Sequence, residues 1–124
     1  MSTSSVAVAI YHHPACSNSR GALALIREAG IEPTIIEYLK EPPDRATLAA
    51  LLKRMGLPAR GLLRPKESAY AALGLDAAHL SDAQLIEHMV AHPELINRPI
   101  VVTPRGARLC RPPQTVLELL PQRR

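Results

Sequence analysis

Apolar positions along this chain follow two rhythms, and the changes between them mark its elements. Val6-Ala7-Val8-Ala9-Ile10-Tyr11 is a continuous run of strand formers, which predicts a strand buried on both faces. After a short polar stretch, Ala22, Leu25, Ile26 and Ala29 recur at helical spacing, and Gly30 ends that pattern. Pro33 to Leu39 reads as a second strand. Asp44 can cap a helix whose apolar stripe is Leu48, Leu51, Leu52 and Met55, with Gly56 closing it. Residues 57–66 read as a basic loop and 67–73 as a short helix. Ser81-Asp82-Ala83-Gln84 is a capping box, and its helix turns Leu85, Ile86, Met89 and Val90 inward before ending near His92-Pro93. Ile100 to Thr103 and Ala107 to Cys110 flank a Pro104-Arg105-Gly106 turn, which predicts an antiparallel hairpin. Arg111-Pro112-Pro113 then opens a last helix with Val116, Leu117 and Leu120 facing the core.

Strand, helix and strand in close succession form a βαβ unit, so the first two strands should be parallel. The predicted class is α/β, with a four-stranded mixed sheet built as βαβ and then ββα. A helical segment at about 44–93 is inserted between the two halves. This order is the thioredoxin-like arrangement, and 1–124 reads as one such domain. The chain has 124 residues and is 47% hydrophobic, enough for one packed core. It has no Phe, no Trp and three Tyr, so that core is aliphatic, and stacking on single-stranded nucleic acid is disfavoured. The net charge of +4 suits an anionic ligand. Basic residues cluster only at Gln122-Arg123-Arg124, so no nucleic-acid partner is expected. No apolar run approaches the ~20 residues that span a bilayer, so no membrane association is expected. The first ten residues carry no leader pattern, and the two cysteines have no metal-ligand spacing. A reduced, cytoplasmic protein is the expectation.

Cys16 is the strongest chemical signal. It ends the loop Tyr11-His12-His13-Pro14-Ala15 and opens a helix, where the helix dipole favours a thiolate. Arg20, one turn further on, supplies a positive charge. His12, four residues before Cys16, is either a thiolate stabiliser or a strand-end histidine with a local backbone partner. Ser19 stands where a C-x-x-C motif has its second cysteine, so no local disulfide can close. Ser19 can cap the helix or donate to the thiolate, and capping is the favoured reading. Cys110 reads as a buried, inert thiol, with a resolving partner for Cys16 as the alternative. Arg64, Arg98 and Arg111 stand at element ends, where planar guanidinium forks can bind an oxyanion. In a thioredoxin-type sheet the loop before the third strand approaches the nucleophile loop, which makes Arg98-Pro99 a candidate cis peptide. His88 and His92 lack a third ligand for zinc, so no metal site is expected. A C-x5-R phosphatase loop is excluded, because Ala22 stands where its arginine would be.

The chain resembles the glutaredoxin-coupled arsenate reductases over nearly its whole length. The likeness lies in His12-x3-Cys16-x3-Arg20, Glu32-Pro33-Thr34-Ile35-Ile36-x-Tyr38-Leu39, Arg60-x-Leu62-Leu63-Arg64, Asn97-Arg98-Pro99-Ile100-Val101-Val102-Thr103-Pro104 and Arg108-Leu109-Cys110-Arg111-Pro112. The resemblance implies a thioredoxin-like fold with a helical insertion. It implies that Cys16 is the nucleophile, that Arg64, Arg98 and Arg111 hold arsenate, and that His12 supports the thiolate. Electrons would come from glutathione as co-substrate and glutaredoxin as partner, with no bound cofactor. His13 stands where the family carries asparagine, and Ser17-Asn18 where it carries Gly-Thr. Two alternatives share the fold: a glutathione-dependent thiol oxidoreductase for another substrate, and a regulator that binds RNA polymerase. Such regulators generally use a C-x-x-C switch, which Ser19 removes.

Overall fold

The computed structural model describes residues 7–121. Val6 and the basic Gln122-Arg123-Arg124 terminus lie outside the described residues. The described residues divide into two compact units, one of residues 7–38 with 98–121 and one of residues 39–97.

The first unit holds the sheet. Its strands are β1 (Ala9–His12), β2 (Thr34–Glu37), β3 (Ile100–Thr103) and β4 (Gly106–Leu109), in the order β2-β1-β3-β4. β1 and β2 are parallel, with Ile10 opposite Ile35, as the short βαβ spacing predicts. β3 is antiparallel to both β1 and β4, so the sheet is mixed. Gly106 has φ of 144°, a conformation open to glycine, and it pairs with Thr103 across the two-residue Pro104-Arg105 turn. Burial in β1 alternates instead of covering both faces, with Ile10 and His12 buried and Ala9 and Tyr11 half-buried.

Helix α1 (Ser17–Glu28) crosses between β1 and β2. Ala22 and Ile26, one turn apart on its inner face, pack with Val8, Ile10, Val101, Val116 and Leu119. A 3₁₀ segment (Pro113–Leu119) closes the unit in place of the expected α-helix. Pro112-Pro113 removes two successive donors, and the tighter winding has three residues per turn. Val116 and Leu119 therefore share the buried side, with Leu120 beside them, while Leu117 is 49% exposed. The expected inward set of Val116, Leu117 and Leu120 is corrected accordingly. This segment lies close against α1: a Cβ at Gly21 would meet Pro113 Cγ at 3.0 Å.

The second unit is helical: α2 (Arg45–Met55), α3 (Ser68–Ala72) and α4 (Asp82–Ala91), with one short 3₁₀ turn (Ala59–Leu62) between α2 and α3 and another (Pro93–Leu95) after α4. Asp44 caps α2 by accepting from the Thr47 N–H at 2.8 Å, and Gly56 ends it in the left-handed region at φ 69°. The predicted capping box at Ser81 is formed on both sides. Leu48, Leu51, Leu52, Leu85, Ile86 and Met89 are buried, as their helical spacing requires. Arg60 spends its guanidinium on the carbonyls of Leu75 at 2.8 Å and Ala77 at 3.0 Å, tying together the turn after α3. Among the described residues, no helix is long and apolar enough to cross a membrane.

Candidate active site

The sheet register brings three distant segments to one edge. Tyr11 pairs with Ile100, and Ile100 pairs with Leu109. β1 therefore ends, β3 begins and β4 ends at the same side. The chain just beyond these points carries Cys16, Arg98 and Arg111.

Cys16 is the N-cap residue of α1, with extended backbone (φ −92°, ψ 124°). Its carbonyl accepts from Arg20 N at 2.9 Å, which starts the helix, and its own N–H donates to His13 O at 3.0 Å. The side chain of an N-cap residue ordinarily accepts from the second or third helical N–H. Here those are the N–H groups of Asn18 and Ser19, at the helix end beside the sulfur; they close no side-chain cap hydrogen bond with it, but their dipoles favour its negative charge. Burial pushes the thiol pKa up, but the Ser19 N–H, the Arg98 guanidinium and the Asn18 N–H outweigh it, and the pKa falls below the ordinary thiol value.

Arg111 Nη1 lies 3.9 Å from Cys16 Sγ and donates to the Arg98 carbonyl at 3.0 Å. With its amide oxygen turned toward Arg111, Asn18 accepts from Nη1 at 3.1 Å and Nη2 at 3.2 Å. The peptide bond before Pro99 is cis, as topology suggested, and so is Arg111-Pro112, which the sequence reading missed. The signal was available, since both are Arg-Pro pairs at strand ends on the same edge. Asn18 was also missed as a functional side chain, having been read only as a departure from the family pattern.

Arg20 differs from expectation. It is exposed, and its Nη1 donates to the Pro14 carbonyl at 3.0 Å, clipping the loop before Cys16. The guanidiniums that act on the sulfur are those of Arg111 and Arg98. Ser19 is not a cap either. It lies inside α1, fully buried, with its hydroxyl oxygen 2.6 Å from His12 Nδ1 and 3.0 Å from His13 N. His12 is buried, and burial lowers its pKa, with Glu37 opposing that shift. His12 also lines an open groove of about 530 Å³ with Pro14, Arg20, Leu23 and Arg27.

Cys110 follows β4 instead of ending inside it, and its side chain is fully buried. Burial pushes its thiol up to about 12, so it stays protonated at neutral pH. Arg64 belongs to the helical unit. There its Nε faces Glu67 at 3.3 Å and its Nη1 donates to Asn97 Oδ1 at 3.1 Å, so a carboxylate and an amide orient the fork. Among the described residues, no three His, Cys, Asp or Glu side chains group as metal ligands.

Taken together, the first unit presents a low-pKa sulfur at a helix N-terminus with two arginine side chains against it. Such a site can bind a tetrahedral oxyanion beside a nucleophile. A protein of Rhizobium meliloti (strain 1021) named arsenate reductase is 54% identical over 114 residues, covering 92% of this chain and 81% of its own. An Escherichia coli (strain K12) protein named only as the uncharacterized protein YfgD is 49% identical over 114 residues, covering 91% and 96%. A solved structure titled arsenate reductase from Vibrio cholerae superposes with a TM-score of 0.91 at 45% identity, covering 94% of this chain and all of that one. That match carries the thioredoxin-like fold expected from the strand order. Residues 11–119 match the ArsC family, and the chain belongs to that family.

Proposed function

We propose that this protein reduces arsenate to arsenite, with the Cys16 thiolate as nucleophile and glutathione and glutaredoxin as the source of electrons. The observation that carries the reading is the pairing of a lowered Cys16 thiol with Arg111 Nη1 at 3.9 Å and the Arg98 guanidinium on the same sulfur. Arsenate and thiolate are both anions and would repel. Cationic forks that neutralise the oxyanion let the sulfur approach arsenic. Relatives named arsenate reductase at about half identity support the choice of substrate.

Attack by Cys16 Sγ forms a sulfur–arsenic bond and expels one arsenate oxygen, which leaves as water after protonation. Glutathione then attacks the adduct, because neither Ser19 nor the buried Cys110 offers a second thiolate. The glutathione sulfur bonds arsenic and displaces a second oxygen as water. The glutaredoxin thiolate then attacks the glutathione sulfur, forming a glutathione–glutaredoxin disulfide and leaving the electron pair of the broken sulfur–arsenic bond on arsenic, which becomes As(III). One water cleaves the remaining Cys16–arsenic bond, releasing arsenite and returning Cys16 as a thiolate. The balance is one arsenate reduced, two thiols oxidised to one disulfide and one water released. The family resemblance assigns Arg64 to the same oxyanion.

A second reading is supported by the YfgD relative, which shares about half the sequence and carries no named activity. On that reading the same thiolate and arginines serve glutathione-dependent reduction of another substrate. A coupled assay of arsenate-dependent NADPH oxidation with glutathione, glutaredoxin and glutathione reductase separates the two. Wild type should turn over only with arsenate and glutathione present, and Cys16→Ser should be inactive. No arsenate-dependent rate in folded wild type with a titrating Cys16 thiolate would overturn the substrate assignment.

A further inference from the structure

Ser19 occupies the place of the second cysteine in a C-x-x-C motif, yet it is fully buried and faces away from a capping role. The proton count at its hydroxyl is informative. The His13 N–H, 3.0 Å away, can only donate, so it takes a lone pair of Oγ. Among the described residues, the only other side-chain atom bonded to Oγ is His12 Nδ1 at 2.6 Å. The hydroxyl proton therefore goes to Nδ1, which must accept it, and the imidazole proton sits on Nε2. That assignment requires a neutral ring. Burial favours the neutral form, His13, Arg27 and Arg20 add to that preference, and Glu37 on β2 opposes it.

The backbone of the same residue points the other way. Asn18 and Ser19 are the second and third residues of α1 after its N-cap Cys16, so their N–H groups lie at the helix end beside the sulfur, where their dipoles favour the thiolate without closing a cap hydrogen bond. One buried residue thus joins the end of β1 to the helix turn that holds the nucleophile. We propose that Ser19 is a positioning residue for Cys16: its hydroxyl fixes His12 as the Nε2–H tautomer and ties His12 and His13 to the first turn of α1, which keeps the Asn18 and Ser19 N–H groups aimed at the Cys16 sulfur. This inference rests on Cys16 being the nucleophile, but its test needs no arsenate.

The test combines nitrogen NMR of the His12 ring with a pH titration of Cys16 thiolate absorbance. In wild type the His12 resonances should report a single Nε2–H tautomer. Ser19→Ala should mix the tautomers and raise the Cys16 pKa, lowering the thiolate fraction about three- to tenfold at a pH below that pKa. Ser19→Thr, which keeps the hydroxyl, should restore both readouts. A wild-type His12 protonated on Nδ1 would overturn the proposal without any variant, which covers the case in which Ser19→Ala fails to fold. A Cys16 titration unchanged in folded Ser19→Ala would overturn it as well. An enzyme inactive toward arsenate that still shows both couplings would refute the substrate and leave the positioning role standing.

Discussion

Removing the Arg111 guanidinium measures how much of the Cys16 thiolate is held by a charge across space. Nη1 lies 3.9 Å from Sγ. At that separation the attraction is about 1 kcal/mol at the permittivity of water and about 4 kcal/mol at an effective value of 20. Arg111 is exposed and Cys16 is half-buried, so screening keeps the interaction near the lower limit. An attraction of about 1–1.5 kcal/mol corresponds to about one pKa unit. Arg111→Ala should therefore raise the Cys16 pKa by about one unit. Arg111→Lys should raise it less, because the charge survives while the contacts to Asn18 and the Arg98 carbonyl are lost. Alkylation by iodoacetamide across a pH series reads this directly, since only the thiolate reacts. Below both pKa values the Arg111→Ala rate should fall about tenfold, less a small gain in intrinsic nucleophilicity. Arg98→Ala should shift the profile further, because that side chain hydrogen-bonds the sulfur as well as charging it. The double variant should fall short of the sum, because Arg111 Nη1 also bonds the Arg98 carbonyl at 3.0 Å. An Arg111→Ala profile that overlays wild type would refute the electrostatic argument and leave the helix N–H groups and Arg98 as the whole support.

Three further outcomes follow from the same geometry. Cys110, buried and with its thiol pushed up to about 12, should resist iodoacetamide in folded protein near pH 8 and react only after denaturation; equal labelling of both cysteines would refute its inertness. Thr103→Val removes a hydroxyl that donates to Leu119 O at 2.8 Å and accepts from Arg105 N at 3.0 Å, so urea unfolding should report a loss of about 1–3 kcal/mol, and an unchanged midpoint would count against it. The folded pKa of His12 is lowered, so its contribution to stability is complete above the unfolded value of 6.5 and is lost as pH falls through the folded value. The stability gap between wild type and His12→Asn should accordingly narrow on acidification below pH 6.5, and a gap constant across that window would refute the assignment.

Local chemistry made most of the fold legible. Gly30, Gly56, Asp44 and the Ser81 capping box marked helix ends that the structure reproduces within a residue or two. The last helix was misread because Val116, Leu117 and Leu120 fit a period of 3.6, and only the two prolines before them signal the tighter winding. Cys16 was legible because an N-cap position is set by its immediate neighbours. Arg20 and Ser19 were misread for the opposite reason. Spacing places a residue on a turn of helix but does not say where its side chain finds a partner. Arg20 turned back to a loop carbonyl, and Ser19 turned inward to a histidine seven positions earlier.

Arg98 and Arg111 stand far from Cys16 in sequence, and only strand order connects them. Once β1, β3 and β4 are known to be successively antiparallel, the end of β1, the start of β3 and the end of β4 must share one edge of the sheet. No contact needs to be guessed, because the register sets it: Tyr11 to Ile100, then Ile100 to Leu109. The same logic makes the site sensitive to that register. A slip of one residue in β3 would exchange its two faces, moving Val101 out of the cluster it forms with Ala22 and Ile26 onto the face that Ile100 now fills, and carrying the Arg98 side chain away from the sulfur. The buried side chains that fix the pairing, Ile10, Ile100 and Val101, are therefore as much a condition of the thiolate as the arginines that touch it.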